Sequence, residues 1–111
     1  MRKLWLALGL ALFTQAALAE GLSSAITGKS GNDMKALLDS EDSFALGLAY
    51  GYIEATYELA TELKLICPPS GVSNGQKNDM VKKFLNDHPE RRHEHKMVLV
   101  LEAFAAPFAC K

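Results

Sequence analysis

The first nineteen residues, MRKLWLALGLALFTQAALA, set the terms on which the rest of the chain folds. Arg2 and Lys3 provide a positive start, and Leu4 to Phe13 form an apolar run of ten residues. Ala17-Leu18-Ala19 then supplies the small-x-small pattern after which a signal peptidase cuts. About 20 apolar residues are needed to span a bilayer, and Thr14 and Gln15 end this run well short of that. The segment therefore reads as a secretory leader, residues 1–19, removed before Glu20 and leaving no membrane anchor. What remains, residues 20–111, is long enough for one small domain and no more.

Export decides how the two cysteines are read. In an oxidising compartment an even cysteine count points first to a disulfide, and two cysteines allow one pairing, Cys67 with Cys110. That bond closes a loop of about 44 residues and ties the end of the chain to its middle, a constraint worth roughly 4 kcal/mol in the chain-entropy account. A catalytic thiol or a metal pair fits less well. No second cysteine lies close in sequence to either one, and an exported free thiol would be oxidised. A small domain with a modest core is also where a covalent staple is expected.

Loss of Arg2 and Lys3 leaves 10 basic and 13 acidic side chains, a net charge of −3. This mild acidity argues against a nucleic-acid binder, which would show a concentrated basic surface.

Periodicity predicts four helices and no strand, an all-α, compact four-helix domain carrying one disulfide. Residues 20–31 read as a loose, Gly- and Ser-rich lead-in. Asn32 is the expected N-cap of a first helix, Asn32 to Asp39, with Met34, Leu37 and Leu38 facing inward. A long second helix runs from about Ser43 to Ile66. Phe44, Leu48, Tyr52, Ala55, Leu59, Leu63 and Ile66 share one face, and Ala45, Ala49, Ile53, Tyr57 and Ala60 widen the apolar sector. Cys67-Pro68-Pro69 stops it. Ser73-Asn74-Gly75-Gln76 has the form of a capping box opening a third helix to about Asn86, with Met80, Val81, Phe84 and Leu85 inside. Pro89 suits the first position of a last helix reaching about Ala106, whose apolar run Met97 to Leu101 is expected to be largely buried.

His88, His93 and His95 invite a metal reading. Ligands on a helix are wanted four residues apart, whereas His93 and His95 point about 200° apart and His88 precedes the proline. Surface or capping histidines are the better reading, with no metal and no cofactor. Glu90 and Glu94 beside His93 suggest acid–base chemistry, yet the chain has no nucleophile in a turn, no phosphate loop and no hydrolase motif. The chain is not expected to be an enzyme.

The second helix carries an oddity. Gly47, Gly51, Glu54, Glu58 and Glu62 fall within about 80° of one another, a stripe that is flat in one half and acidic in the other. Each mid-helix glycine costs about 1 kcal/mol relative to alanine. Gly-x-x-x-Gly permits close approach of another backbone, supplied either by a neighbouring helix of the same chain or by a second protein surface.

Taken in order, the pieces resemble a known family. A leader is followed by Gly51-Tyr52-Ile53 on a long helix, Cys67-Pro68-Pro69-x-Gly71-Val72, and a third helix led by Gln76. Phe84-Leu85-x-x-His88-Pro89-Glu90-x-x-His93 and Ala103-Phe104-x-x-Pro107-Phe108-x-Cys110 complete the set. Over about residues 32–110 this is similar to the type VI secretion amidase-immunity proteins, the Tai family. Many relatives carry further cysteines near the positions of Leu38 and Ala49, which this chain lacks. The resemblance implies a small helical periplasmic protein, commonly a homodimer, whose partner is a cognate peptidoglycan amidase effector. Protection would work by occlusion, a rigid protrusion filling the groove of a papain-like Cys-His active site.

On that reading the leading candidate protrusion is Asn86 to His93. Asp87, His88, Glu90, Arg91, Arg92 and His93 offer donors and acceptors within a few residues, and Pro89 limits the entropy lost on docking. A capped connection between helices is the plainer account of the same residues. Glu54 and Glu58 are the second candidate, and the Ser70 to Asn74 turn a further one. Gly47 and Gly51 are the expected dimer contact. The rival from another class is a periplasmic structural or assembly protein of the same fold with no toxin partner.

Overall fold

Residues 23–111 are described by a computed structural model; the expected leader, residues 1–19, and the cleavage point before Glu20 lie outside them. Helix α1 is Gly31–Leu38, α2 is Ser43–Glu62, α3 is Asn74–Asp87 and α4 is Lys96–Ala105. A 3-10 turn, Pro89–Arg91, links α3 to α4, and residues 23–27 form a further helical turn. Among the described residues there is no strand beyond one isolated bridge, Ser30 with His95. The all-α expectation holds, with one disulfide.

Local chemistry explains where the helices begin. The Ser73 hydroxyl accepts from the Gln76 N–H at 3.1 Å, and the Ser73 N–H donates to the Gln76 side-chain oxygen at 2.8 Å, the reciprocal box expected there. At α1 the same device is built from Ser30 and Asp33, at 3.2 and 3.0 Å. The cap is thus Ser30, two residues ahead of Asn32, which lies inside the helix. Nor is the lead-in loose throughout: Ala25 is buried, and residues 29–32 bond to residues 92–96. Asp42 caps α2 by accepting from the Ala45 N–H at 2.9 Å.

Helix α2 ends at Glu62, before the Ile66 boundary expected from the prolines. Lys64 adopts φ 60°, and the chain closes a Schellman motif in which the Leu65 N–H donates to Ala60 O at 2.9 Å and the Lys64 N–H to Thr61 O at 3.1 Å. Helix α4 starts at Lys96 rather than Pro89, because the carbonyls of Arg92 and Glu94 accept from the N–H groups of Asn32 and Gly31 instead of continuing a helix. His95 caps it, Nδ1 accepting from the Met97 N–H at 3.1 Å.

Helix α2 packs against α1, α3 and α4. It buries Ala45, Ala49, Ile53, Tyr57 and Ala60, the sector expected only to widen the apolar face. Phe44, Leu59 and Leu63 are instead 65%, 57% and 60% exposed, and Leu48 is also exposed. The two sectors lie about a third of a turn apart, and the alanine-rich one wins because small side chains let three neighbouring helices approach closely. Met34, Ile53, Leu85, Leu99 and Phe104 fill the space between them. The Met97 to Leu101 run is only partly buried: Leu99 and Val100 point inward while Met97 and Val98 face out.

The disulfide joins Cys67 to Cys110 with Cα atoms 4.9 Å apart. Beside it the Cys67 N–H donates to Phe108 O at 2.7 Å, and the Phe108 ring lies 6.0 Å from Tyr57 and 6.2 Å from Phe104. The C-terminal tail is therefore held by aromatic packing as well as by a covalent bond.

Candidate functional site

Between α3 and α4 the chain makes a stiff, charged turn. His88 ends α3, its N–H donating to Phe84 O at 3.1 Å, and its ring centroid lies 4.5 Å from that of Phe84. Pro89 sets the 3-10 turn, closed by the Arg91 N–H on His88 O at 3.1 Å. The Glu94 N–H donates to Arg91 O at 2.9 Å. Three further backbone bonds anchor the far side: Gly31 N–H to Glu94 O, Asn32 N–H to Arg92 O and Lys96 N–H to Lys29 O, at 2.9, 2.8 and 2.7 Å. A side chain at Gly31 would collide with Leu99 and with the Arg92 backbone, so glycine is required where the strap crosses the turn.

The two arginines point into the structure. Arg91 donates through Nε to Glu94 Oε2 at 2.7 Å and through Nη2 to Glu94 Oε1 and Glu102 Oε1, both at 2.9 Å. Its Nη1 also pairs with Glu102, and the guanidinium sits 5.8 Å from the Phe84 ring centroid. These bonds hold the Glu94 and Glu102 carboxyls below the usual carboxylate range and raise Arg91 above its ordinary value. Arg92 donates to Leu85 O at 2.7 Å. Asp87, Glu90 and His93 remain exposed, with His88 half-buried. His88 Nδ1 lies 3.2 Å from Glu90 Oε1, and Asp87 pairs with Lys83 at 2.6 Å. A backbone N–H and the His88 ring keep the Glu90 carboxyl low in pKa. The turn thus combines a fixed backbone with a rim of polar groups open to a partner.

Beside the turn, Met80, Phe84, Ala103 and Pro107 line an apolar groove of about 260 Å³, with Lys83, Asp87 and Glu102 at its edges. This groove was not legible in the sequence; Met80 and Phe84 read as core positions, and both are only partly buried.

The acidic stripe on α2 divides. Glu54 makes a two-pronged ion pair with Lys77, at 3.0 and 2.9 Å, joining α2 to α3. Lys77 is buried, its Nζ 4.0 Å from the Tyr57 ring centroid. Glu58 and Glu62 are exposed and border an open pocket with Thr61 and Tyr57. A Cβ added at Gly47 or at Gly51 meets nothing within 4 Å. Among the described residues no helix of the same chain packs there.

His88, His93 and His95 are used separately, in a helix end, an exposed position and a cap. Among the described residues no group of three His, Cys, Asp or Glu side chains is placed to hold a metal ion. Nor, among them, is any helix long and apolar enough to cross a membrane.

No curated protein and no solved structure matches the chain. Residues 22–110 do match the family model for Rap1a immunity proteins, which bears out the resemblance carried by the CPP, HPE and closing aromatic motifs and supports a non-enzymatic immunity role. With that match covering nearly all of the chain beyond its first 21 residues, the protein belongs to the Rap1a immunity-protein family.

Proposed function

We propose that this is a periplasmic immunity protein that binds a cognate type VI secreted peptidoglycan amidase and occludes its active site. On this account residues 1–19 direct export and are removed, and residues 20–111 act as a homodimer with Gly47 and Gly51 at or near the subunit contact. The observation that carries the reading is the immunity-family match over residues 22–110, joined to a turn whose backbone is tied down on both sides while its polar rim stays open. A surface ordered before binding loses little entropy on docking, which favours tight inhibition.

Asp87, His88, Glu90 and His93 are the groups offered to the amidase groove, with Arg91 and Arg92 holding them in place and the adjacent apolar groove adding contact area. Glu54, tied to Lys77, leaves Glu58 as the more available of the two acidic candidates on α2. Calorimetric titration of the amidase with His88→Ala/His93→Ala protein tests the assignment. Affinity should fall by more than about 2 kcal/mol, as for central interface residues, with an unchanged melting temperature. Unaltered affinity in the folded double variant rejects the turn and moves the contact to Glu58, which Glu58→Lys then examines.

A further inference from the structure

Both ends of the disulfide are open to solvent: Cys67 and Cys110 are each exposed, and neither contributes to the buried core. That core is complete without the C-terminal tail. Its last buried side chain is Phe104, and buried Ile66 anchors the loop ahead of Cys67. Beyond α4 the chain runs Ala106-Pro107-Phe108-Ala109-Cys110-Lys111, and only Phe108 in this stretch is partly buried. Two backbone bonds hold it, Phe108 N–H to Phe104 O at 3.0 Å and Cys67 N–H to Phe108 O at 2.7 Å.

The tail nevertheless builds part of the surface beside the charged turn. Ala106 and Pro107 line the apolar groove together with Met80 and Phe84 of α3, and Asp87 belongs both to the groove's edge and to the turn. Groove and turn are therefore one continuous face. The part of that face that follows α4 is fastened by the covalent link at Cys110.

Cutting the link changes the balance. Each backbone residue held in one conformation loses entropy that its contacts must offset. With the loop opened, the residues after Ala106 rely on one half-buried ring and two hydrogen bonds, and water replaces such bonds at little net loss. The stretch then frays as an untethered chain end does. The groove loses Ala106 and Pro107, while α1 to α4 keep their packing.

We infer that the Cys67–Cys110 disulfide is a redox latch on the effector-facing surface: oxidised, it completes the groove, and reduced, it releases residues 106–111 from an intact helical domain. The inference rests on the occlusion reading above and adds a condition to it. Opening is a two-electron thiol–disulfide exchange with a dithiol reductant. The reductant's thiolate attacks one exposed sulfur to form a mixed disulfide, and its second thiol then expels the remaining protein thiolate. The reductant ends as a disulfide, and two electrons and two protons end on Cys67 and Cys110. In a reducing compartment the latch is open, so the chain becomes a full inhibitor only after export and oxidation.

Mature protein reduced with dithiothreitol, capped with iodoacetamide and freed of both reagents tests this against the oxidised parent. Capping before mixing leaves the effector's own thiol untouched. Circular dichroism should be the same for the two forms. Hydrogen exchange should find the Cys67 and Phe108 amides protected in the oxidised form and exchanging at the free-chain rate in the capped one. Calorimetric titration against the amidase effector should give the capped form a dissociation constant at least about tenfold above that of the oxidised form. Cys67→Ser/Cys110→Ser, which carries no cap, should behave like the capped form. Oxidised Pro107→Asp, whose latch is closed but whose groove is altered, should also bind at least about tenfold more weakly. An oxidised parent that does not bind the effector refutes the occlusion reading itself. Where the oxidised parent binds, any of four results overturns the latch while occlusion stands: equal affinity of the capped form, protected amides in it, loss of its helical spectrum, or parental affinity in Pro107→Asp.

Discussion

Replacing Lys77 by Met removes one charge from the protein while keeping an unbranched apolar stem against Tyr57. Lys77 is 6% exposed, and its ammonium lies within 3.0 Å of both oxygens of Glu54. At an effective dielectric near 20, opposite charges about 3.5 Å apart attract by roughly 5 kcal/mol. Removing the ammonium from water offsets much of that, which is why such pairs add little net stability yet are costly to break. An orphaned buried charge costs about 3–5 kcal/mol. The Glu54 side chain is 32% exposed and can turn toward water, so a loss near 2 kcal/mol is the expected outcome. The contact with Tyr57 contributes up to about 1 kcal/mol of this. Urea unfolding at neutral pH reads the change as a lower midpoint, shifted by about 2 M for a slope near 1 kcal/mol/M, with the slope itself unchanged. Adding Glu54→Gln should recover at least about 1 kcal/mol, because no carboxylate is then left unpaired. A Lys77→Met protein within 0.5 kcal/mol of the parent (roughly the scatter of ordinary surface substitutions), or no recovery in the double variant, would refute the reasoning.

Three further outcomes follow from the same geometry. Cys67→Ser/Cys110→Ser should lose up to roughly 4 kcal/mol in urea titration and free the Phe108 tail to proteolysis, and a loss below 1 kcal/mol would contradict the staple account. Arg91 depresses the Glu94 and Glu102 pKa values, so the stability they contribute is present above the unfolded carboxylate value near 4.3 and is lost as pH falls through their lower folded values. Hydrogen exchange should show the Gly31 and Asn32 amides well protected at pH 7 and progressively exposed below about pH 4, and Arg91→Met should expose them already at pH 7. Lys64→Gly should stabilise the protein by about 0.5–1 kcal/mol, measured by thermal unfolding, because glycine adopts the left-handed position of the α2 end without a Cβ penalty.

What could be read from the sequence was whatever depends on neighbours along the chain. The Ser73 capping box, the helix count and the Cys67–Cys110 pairing all rest on local spacing or on a count that leaves one option. Errors arose where tertiary contacts choose between two locally acceptable answers. Helix α2 is apolar over both the Phe44–Leu59 and the Ala45–Ala60 sectors, and periodicity cannot say which one the other helices meet. Pro89 is a sound helix start, but the Lys29–Asn32 strap captures the carbonyls that a helix there would use. The Lys77–Glu54 pair joins two helices across 23 positions, so no local spacing announces it. Of the candidate contact residues, Asp87, His88, Glu90 and His93 lie on an ordered polar turn. The inward roles of Arg91 and Arg92 were not visible, because Glu102 and Leu85 O are supplied by other helices.

The central claim, that this chain protects by blocking an amidase, is tested most directly by measuring peptidoglycan hydrolysis while mature protein is titrated against a fixed amount of the effector. The account predicts a linear fall to zero activity at one protomer per effector molecule, and protection of the effector's catalytic thiol from alkylation in the inhibited mixture. Full hydrolysis at a tenfold excess of folded, disulfide-bonded protein, or complete inhibition with the thiol still alkylated at its free rate, would contradict it.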